Sequence, residues 1–151
     1  MLKLSKKVDY GLILLSRIGG DSLPASAREI AGRHDLPPPM VANILKQLTA
    51  GGLLESTRGA QGGYTLARPM DAISLADVIH ALEGPISLVE CSRVDATCRH
   101  MDNCPTQDPI QVVHRRLEAF MNEFTLDEIL PPRAGGFSFS LSATEPQTKE
   151  A

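Results

Sequence analysis

The chain has 151 residues, 42% of them hydrophobic, with no Trp, two Tyr and four Phe, which suits one ordinary domain, or a small domain with an appended element, filled by Leu, Ile and Val. No apolar run reaches the roughly 18 residues of a membrane span, and "MLKLSKK" leads to no small-residue cleavage site, so neither membrane nor export is expected and a reducing, cytoplasmic setting is. The net charge of −3 is divided: residues 1–68 carry nine Lys/Arg and five Asp/Glu (+4) and residues 69–151 carry six and thirteen (−7), so only the first half is expected to meet a polyanion.

Ser5 is placed to cap a first helix, in which Val8, Leu12, Leu15 and Ile18 recur at helical spacing until Gly19-Gly20. Ser26 and Glu29 stand at capping-box spacing, which starts a short second helix at Ala27 with Ile30 and Ala31 facing inward. "HDLPPP" breaks it. Proline is tolerated in a first helical turn, so a third helix begins near Pro37–Pro39. Val41, Ile44, Leu45 and Leu48 form its apolar stripe, and Gly51-Gly52 end it. "LLEST" (53–57) and "YTLA" (64–67) read as strands joined by "RGAQGG", a β-hairpin with a flexible tip. Ser74 and Asp77 open a fourth helix with Leu75, Val78, Ile79 and Leu82 inside, closed by Gly84-Pro85. A segment holding all three cysteines follows and reads as a loop. Asp108-Pro109, a cap and a first-position proline, start a fifth helix. Its Ile110, Val113, Leu117, Phe120 and Phe124 are spaced 3, 4, 3, 4, as in a coiled-coil seam. Thr125 and Glu128 repeat the capping box before a last turn, and from Pro132 onward a disordered tail is expected.

Helix, helix, helix and hairpin is the order of a winged helix-turn-helix, so the expected fold is mainly α with a small β-hairpin and a long C-terminal helix. Opposite the apolar stripe of the third helix lie Pro38, Pro39, Ala42, Asn43, Lys46 and Gln47. Asn and Gln can bond adenine bidentately, and Lys can reach guanine or a phosphate. Arg58 at the wing suits a narrow minor groove, and Lys3, Lys6 and Lys7 can add phosphate contacts. The alternative is a solvated helix face. One such arm neutralises few phosphates, so a homodimer on two half-sites of double-stranded DNA is expected. The 110–124 seam would serve as the dimer helix, unless it packs on its own domain.

"KLSKKVDYGL", "AREIAGRHDLPPPMVANILKQLTAGGLLESTRGAQGGYTLAR" and "ISLADVIHALEG" resemble the Rrf-type family of winged-helix regulators, which includes iron–sulfur assembly and nitric-oxide-sensing repressors. The most specific mark is the wing pattern RG-x-x-GGY-x-L, here Arg58 to Leu66. Within the family the chain is most similar to regulators of the SUF iron–sulfur assembly system. The resemblance spans residues 1 to about 130. It implies a cytoplasmic homodimeric repressor on operator DNA, long C-terminal helices crossing at the dimer interface, and an iron–sulfur cluster in the loop before that helix.

Cys91, Cys98 and Cys104 give C-x6-C-x5-C, one residue looser in the first interval than the family's usual trio. Thiolates are soft ligands for an iron–sulfur cluster or zinc, and these intervals exceed those of zinc knuckles. Arg93 and Arg99 can offset the cluster's negative charge. Two or four irons are equally compatible. The fourth ligand is open. Asp9 matches an acidic position that some nitric-oxide-sensing relatives contribute from the partner subunit. His100 is the local rival, and His114, Asp108 or water remain. Assembly-regulator relatives place a His three residues after the third cysteine, where this chain has Gln107.

The expected division is therefore a DNA-binding domain at 1–84, a cluster-binding loop at 85–108, a dimerisation helix with its final turn at 109–131, and a tail at 132–151. Operator affinity is expected to follow the state of the cysteine loop. The rivals are a metal-free thiol sensor with a Cys98–Cys104 disulfide, a nitric-oxide-responsive regulator on the same fold, and a winged helix that binds protein. No Ser/His/Asp set, paired carboxylates, phosphate loop or metal-hydrolase motif occurs, so no enzyme and no small-molecule substrate are expected.

Overall fold

The structure, a computed structural model, describes residues 4–20, 23–59, 62–89 and 103–130. Lys3, Cys91, Cys98, His100 and the expected tail lie outside them.

Helix α1 (Lys6–Gly19) starts where Ser5, in extended backbone, accepts a hydrogen bond from the Val8 amide. Its buried face is Val8, Gly11, Leu14, Leu15 and Ile18, so Leu14 joins the expected stripe and Leu12 packs partly buried at its margin. Gly11 lies at the centre of this face. A Cβ there would stand 2.5 Å from Leu82 Cδ1, so the missing side chain lets that leucine lie directly on the helix.

Helix α2 (Ala27–Arg33) forms half of its expected capping box. Ser26 Oγ accepts from the Glu29 amide at 3.2 Å, while the Glu29 carboxylate turns to Arg33 at 2.7 Å. The turn into the next helix is set by Asp35 at φ 50, and the Leu36 amide reaches back to the Ala31 carbonyl at 3.0 Å. A short polar side chain tolerates that left-handed backbone where a branched one would not.

Helix α3 (Pro38–Ala50) buries Val41, Ile44, Leu45 and Leu48. Full burial of each such side chain contributes about 1.5–3 kcal/mol, and together they fix the rotation of the helix. It ends in a Schellman motif: Gly52 at φ 73 donates to Thr49, and the Leu53 amide donates to the Leu48 carbonyl at 2.9 Å. Leu53, fully buried, then leads directly into the hairpin.

Strands β1 (Leu54–Thr57) and β2 (Gly63–Leu66) pair antiparallel, with Leu54 opposite Leu66 and Thr57 opposite Gly63. The hairpin is fastened to the α1–α2 connection by reciprocal bonds between Ala25 and Tyr64, at 3.2 and 3.0 Å. A single 3₁₀ turn, Met70–Ala72, precedes helix α4 (Leu75–Glu83), which Ser74 and Asp77 open as expected, here as a full capping box.

Helix α5 (Gln107–Glu123) begins one residue before the expected cap, with Thr106 in that role. Asp108 and Pro109 therefore sit inside the first turn, where a missing N–H costs nothing because first-turn amides have no helical partner. Helix α6 (Leu126–Ile129) has the expected Thr125/Glu128 capping box. The two boxed helix starts meet: Ser74 and Thr125 form a bridge, the Leu75 amide donates to Phe124 and the Leu126 amide to Ile73, each at 2.8 Å. Ser74 Oγ adds a bond to Asn122 Oδ1 at 3.2 Å. This junction ties the C-terminal end of α5 to the three-helix body.

Candidate functional site

Three groups of residues are the candidates for function: the outer face of α3, the wing, and the residues leading into α5. On α3 the rigid apolar stripe points Pro38, Pro39, Ala42, Asn43 and Lys46 to solvent, with Gln47 half-buried at the margin. Gln47 Nε2 donates to Asn43 Oδ1 at 3.2 Å, one helical turn away. Arg58 is exposed at the end of β1, next to Gly59 at φ 124. At the wing base a Cβ on Gly62 would lie 2.1 Å from the Thr57 carbonyl oxygen. Only glycine fits there, which gives a physical reason for the paired glycines of the wing pattern.

The lysines at the N-terminus divide. Lys6 is exposed, but the Lys7 ammonium donates to the Leu82 carbonyl at the C-terminal end of α4. Ser5 Oγ, close by, donates to Glu83 Oε1 at 2.8 Å. Lys7 thus closes α4, a favourable place for a cation, a role beside the phosphate contact expected of it. This coupling joins residues more than seventy positions apart, and no local pattern could have announced it.

Of the proposed metal ligands, Cys104, Asp9, Asp108 and His114 are described. Cys104 is half-buried just before α5, its carbonyl accepting from the Gln107 amide. Its Sγ lies 3.3 Å from Thr106 Oγ1. The Thr106 hydroxyl and then the Thr106 and Gln107 amides hold the thiol below its ordinary value, outweighing partial desolvation. Thiolate is the form that binds soft metals, so the residue fits a cluster-ligand role chemically. We expect a Thr106→Val variant to alkylate more slowly at Cys104 than the parent between about pH 6 and 8, as read by mass-spectrometric mapping with iodoacetamide. Equal rates would show that Thr106 does not favour the thiolate.

Asp9 is exposed on α1 and lines an open cleft of about 330 Å³ with Leu12, Ser16, Arg17, His34 and Leu130. Cys104 does not line this cleft, and among the described residues no three His, Cys, Asp or Glu side chains gather as a metal-binding group. His114 is the one buried residue of α5, at 8% exposure. Its Nε2 lies 3.9 Å from Glu118 Oε2, and His80 of α4 approaches Glu118 Oε1 at 3.5 Å. His114 Nδ1 is enclosed with no hydrogen-bond partner among the described residues. The expected apolar seam reads differently: Val113 and Phe120 are about half exposed and Val112 is 41% exposed, while Leu117 and Phe124 are half-buried. Phe120 and Phe124 meet edge to face at 4.8 Å.

A helix-turn-helix closed by a two-stranded wing, with a long trailing helix, defines a winged-helix DNA-binding regulator. The chain belongs to the Rrf2 family, whose model, described as an iron-dependent transcriptional regulator, matches residues 4–132. Protein rrf2 of Nitratidesulfovibrio vulgaris is 30% identical over 131 residues, covering 85% of this chain and 87% of that protein. The structure of CymR, the global cysteine regulator of B. subtilis, superposes with a TM-score of 0.66 at 30% identity over 86% of this chain and 97% of CymR. T. potens IscR gives a TM-score of 0.62 at 32% identity, over 85% and 86% of the two chains. These relatives are transcriptional regulators, not enzymes. No helix among the described residues is long and apolar enough to cross a membrane.

Proposed function

We propose that this chain is a cytoplasmic, homodimeric repressor of iron–sulfur assembly genes, and that its operator affinity follows an iron–sulfur cluster held by Cys91, Cys98 and Cys104. The observation that carries this reading is the state of Cys104, a half-buried thiol hydrogen-bonded to Thr106 and biased toward thiolate, two residues before Thr106 at the start of α5. Asp9 of the partner subunit is the fourth ligand we favour. Its carboxylate is exposed, whereas the His114 imidazole is packed away beside Glu118. Such a cluster supplies sensitivity to iron supply and oxidants.

The chain's own residues supply the rest. Asn43, Lys46, Gln47 and the prolines before them face the major groove, Arg58 reaches from the wing, and Lys6 adds a phosphate contact. The exposed Val112, Val113 and Phe120 form the surface on which a second copy's α5 would rest, burying apolar area that is otherwise wet. Any change at the start of α5 has a covalent and hydrogen-bonded path to the reading head, through α5 and the Ser74–Thr125 junction. Coupling of about 1–3 kcal/mol is typical of such linked sites.

Anaerobic purification with iron and sulfide analysis tests this reading. Coloured protein with both elements, and loss of both in Cys104→Ser, is the expected result; colourless protein with stoichiometric zinc overturns it. A second reading has support from the same lowered thiol and from the likeness to CymR: a metal-free sensor in which Cys98 and Cys104 form a disulfide. It predicts iron-free protein whose operator binding changes reversibly with oxidant.

A further inference from the structure

We infer that Asn43 and Gln47 read one base pair together, as a single composite amide, with Gln47 the positioning residue that sets which way Asn43 points. This rests on the operator-binding reading above. Side chains one turn apart on a helix are neighbours, and Gln47 Nε2 donates to Asn43 Oδ1 at 3.2 Å. Both Cα positions are fixed by the buried Ile44, Leu45 and Leu48 beneath them. Gln47, half-buried, has less freedom than the exposed Asn43, so it is the member that directs the pair.

A primary amide offers one acceptor oxygen and one NH₂ donor group. The bond to Gln47 engages the Asn43 oxygen and turns its Nδ2 outward. What the pair then shows a ligand is a donor at Asn43 and an acceptor at Gln47 Oε1. Adenine's major-groove edge carries the complement, acceptor N7 beside donor N6. Guanine sets its O6 acceptor against Gln47 Oε1. Thymine offers an acceptor and a methyl group, cytosine only a donor. Two independent amides would instead read two adenines, one each.

Gln47→Glu inverts the device. A carboxylate has no donor, so Asn43 must turn its NH₂ inward, and the pair shows only acceptors. Preference then passes from adenine toward cytosine, whose N4 donates.

The test uses the full chain and a random-sequence DNA duplex library, followed by single base-pair changes in the enriched duplex. We expect Asn43→Ala, Gln47→Ala and the double variant to relax the same adenine, each by about tenfold against guanine, with the double no worse than either single. Gln47→Glu should move that position toward cytosine, even as its added charge weakens binding at every sequence. Relaxation at two different base pairs with additive losses, or a Gln47→Ala variant that keeps the parental preference, overturns the inference while leaving operator binding intact. If the parent enriches no duplex, the operator reading fails and the composite reader fails with it. All three substitutions lie at exposed or half-buried positions, so matching thermal unfolding of parent and variants confirms that recognition alone is compared.

Discussion

Leu126→Ala is expected to lower the unfolding free energy by about 2–5 kcal/mol and to free α5 from the winged-helix body. Leu126 is 0% exposed, although α6 has only four residues and would not hold itself together. It lies in the same core cluster as Ile73, to whose carbonyl its amide donates at 2.8 Å. Truncation removes the buried methyl groups and leaves a cavity under the junction where Ser74 meets Thr125. The bonds made there by Leu75, Leu126 and Asn122 then lose the packing that holds them in register. Urea unfolding of parent and variant measures the loss. A midpoint unchanged within error would mean that the junction contributes little and that α5 is held elsewhere.

Gly63→Ala is the second large effect, and it acts on the wing. A Cβ at this position would stand 2.8 Å from both the carbonyl carbon and oxygen of Ala25 and 3.0 Å from its nitrogen. All three are backbone atoms, so no side chain can rotate aside. Either β2 moves off the Ala25 segment or that segment moves with it, at a cost of about 1–3 kcal/mol for overpacking. The pair of bonds between Ala25 and Tyr64 is then lost, and with it the fixed angle of the hairpin to α3. Amide exchange at Ala25 and Tyr64 should rise while the α3 amides stay protected, and operator affinity should fall with the helix intact. Unchanged exchange at Tyr64 would show that the hairpin accommodates the methyl group without moving.

The body of the fold was legible because its signals are local. Ser5, Ser26, Ser74 and Thr125 cap where they were expected to, and the stripe of Val41, Ile44, Leu45 and Leu48 fixes the exposed face of α3. What escaped depends on partners distant in the chain. Leu14 is fully buried while Leu12 packs at the margin of the core, on a helix face centred on Gly11, where Leu82 lies close. Lys7 closes α4 from a position more than seventy residues away, a role that its local sequence does not announce. His114 is the buried residue of α5, while Val113 and Phe120 of the supposed seam stay exposed, a pattern that a second copy would complete. Asp35 in left-handed backbone shapes the turn of the helix-turn-helix, and a lone aspartate before Leu-Pro gives no sign of it. Of the candidate cluster site, Cys104, Asp9, Asp108 and His114 can be placed, while Cys91, Cys98 and His100 lie outside the described residues.

The knot of hydrogen bonds around Ser74 and Thr125 would make α5 a lever with its fulcrum at the far end. The helix has 17 residues and so extends about 25 Å. A sideways step of about 2 Å where Cys104 enters it becomes a swing of only about 5° over that length. Small as that angle is, in the proposed dimer the two copies would turn in opposite senses, and the angle between their two α3 helices would change by the sum of both swings.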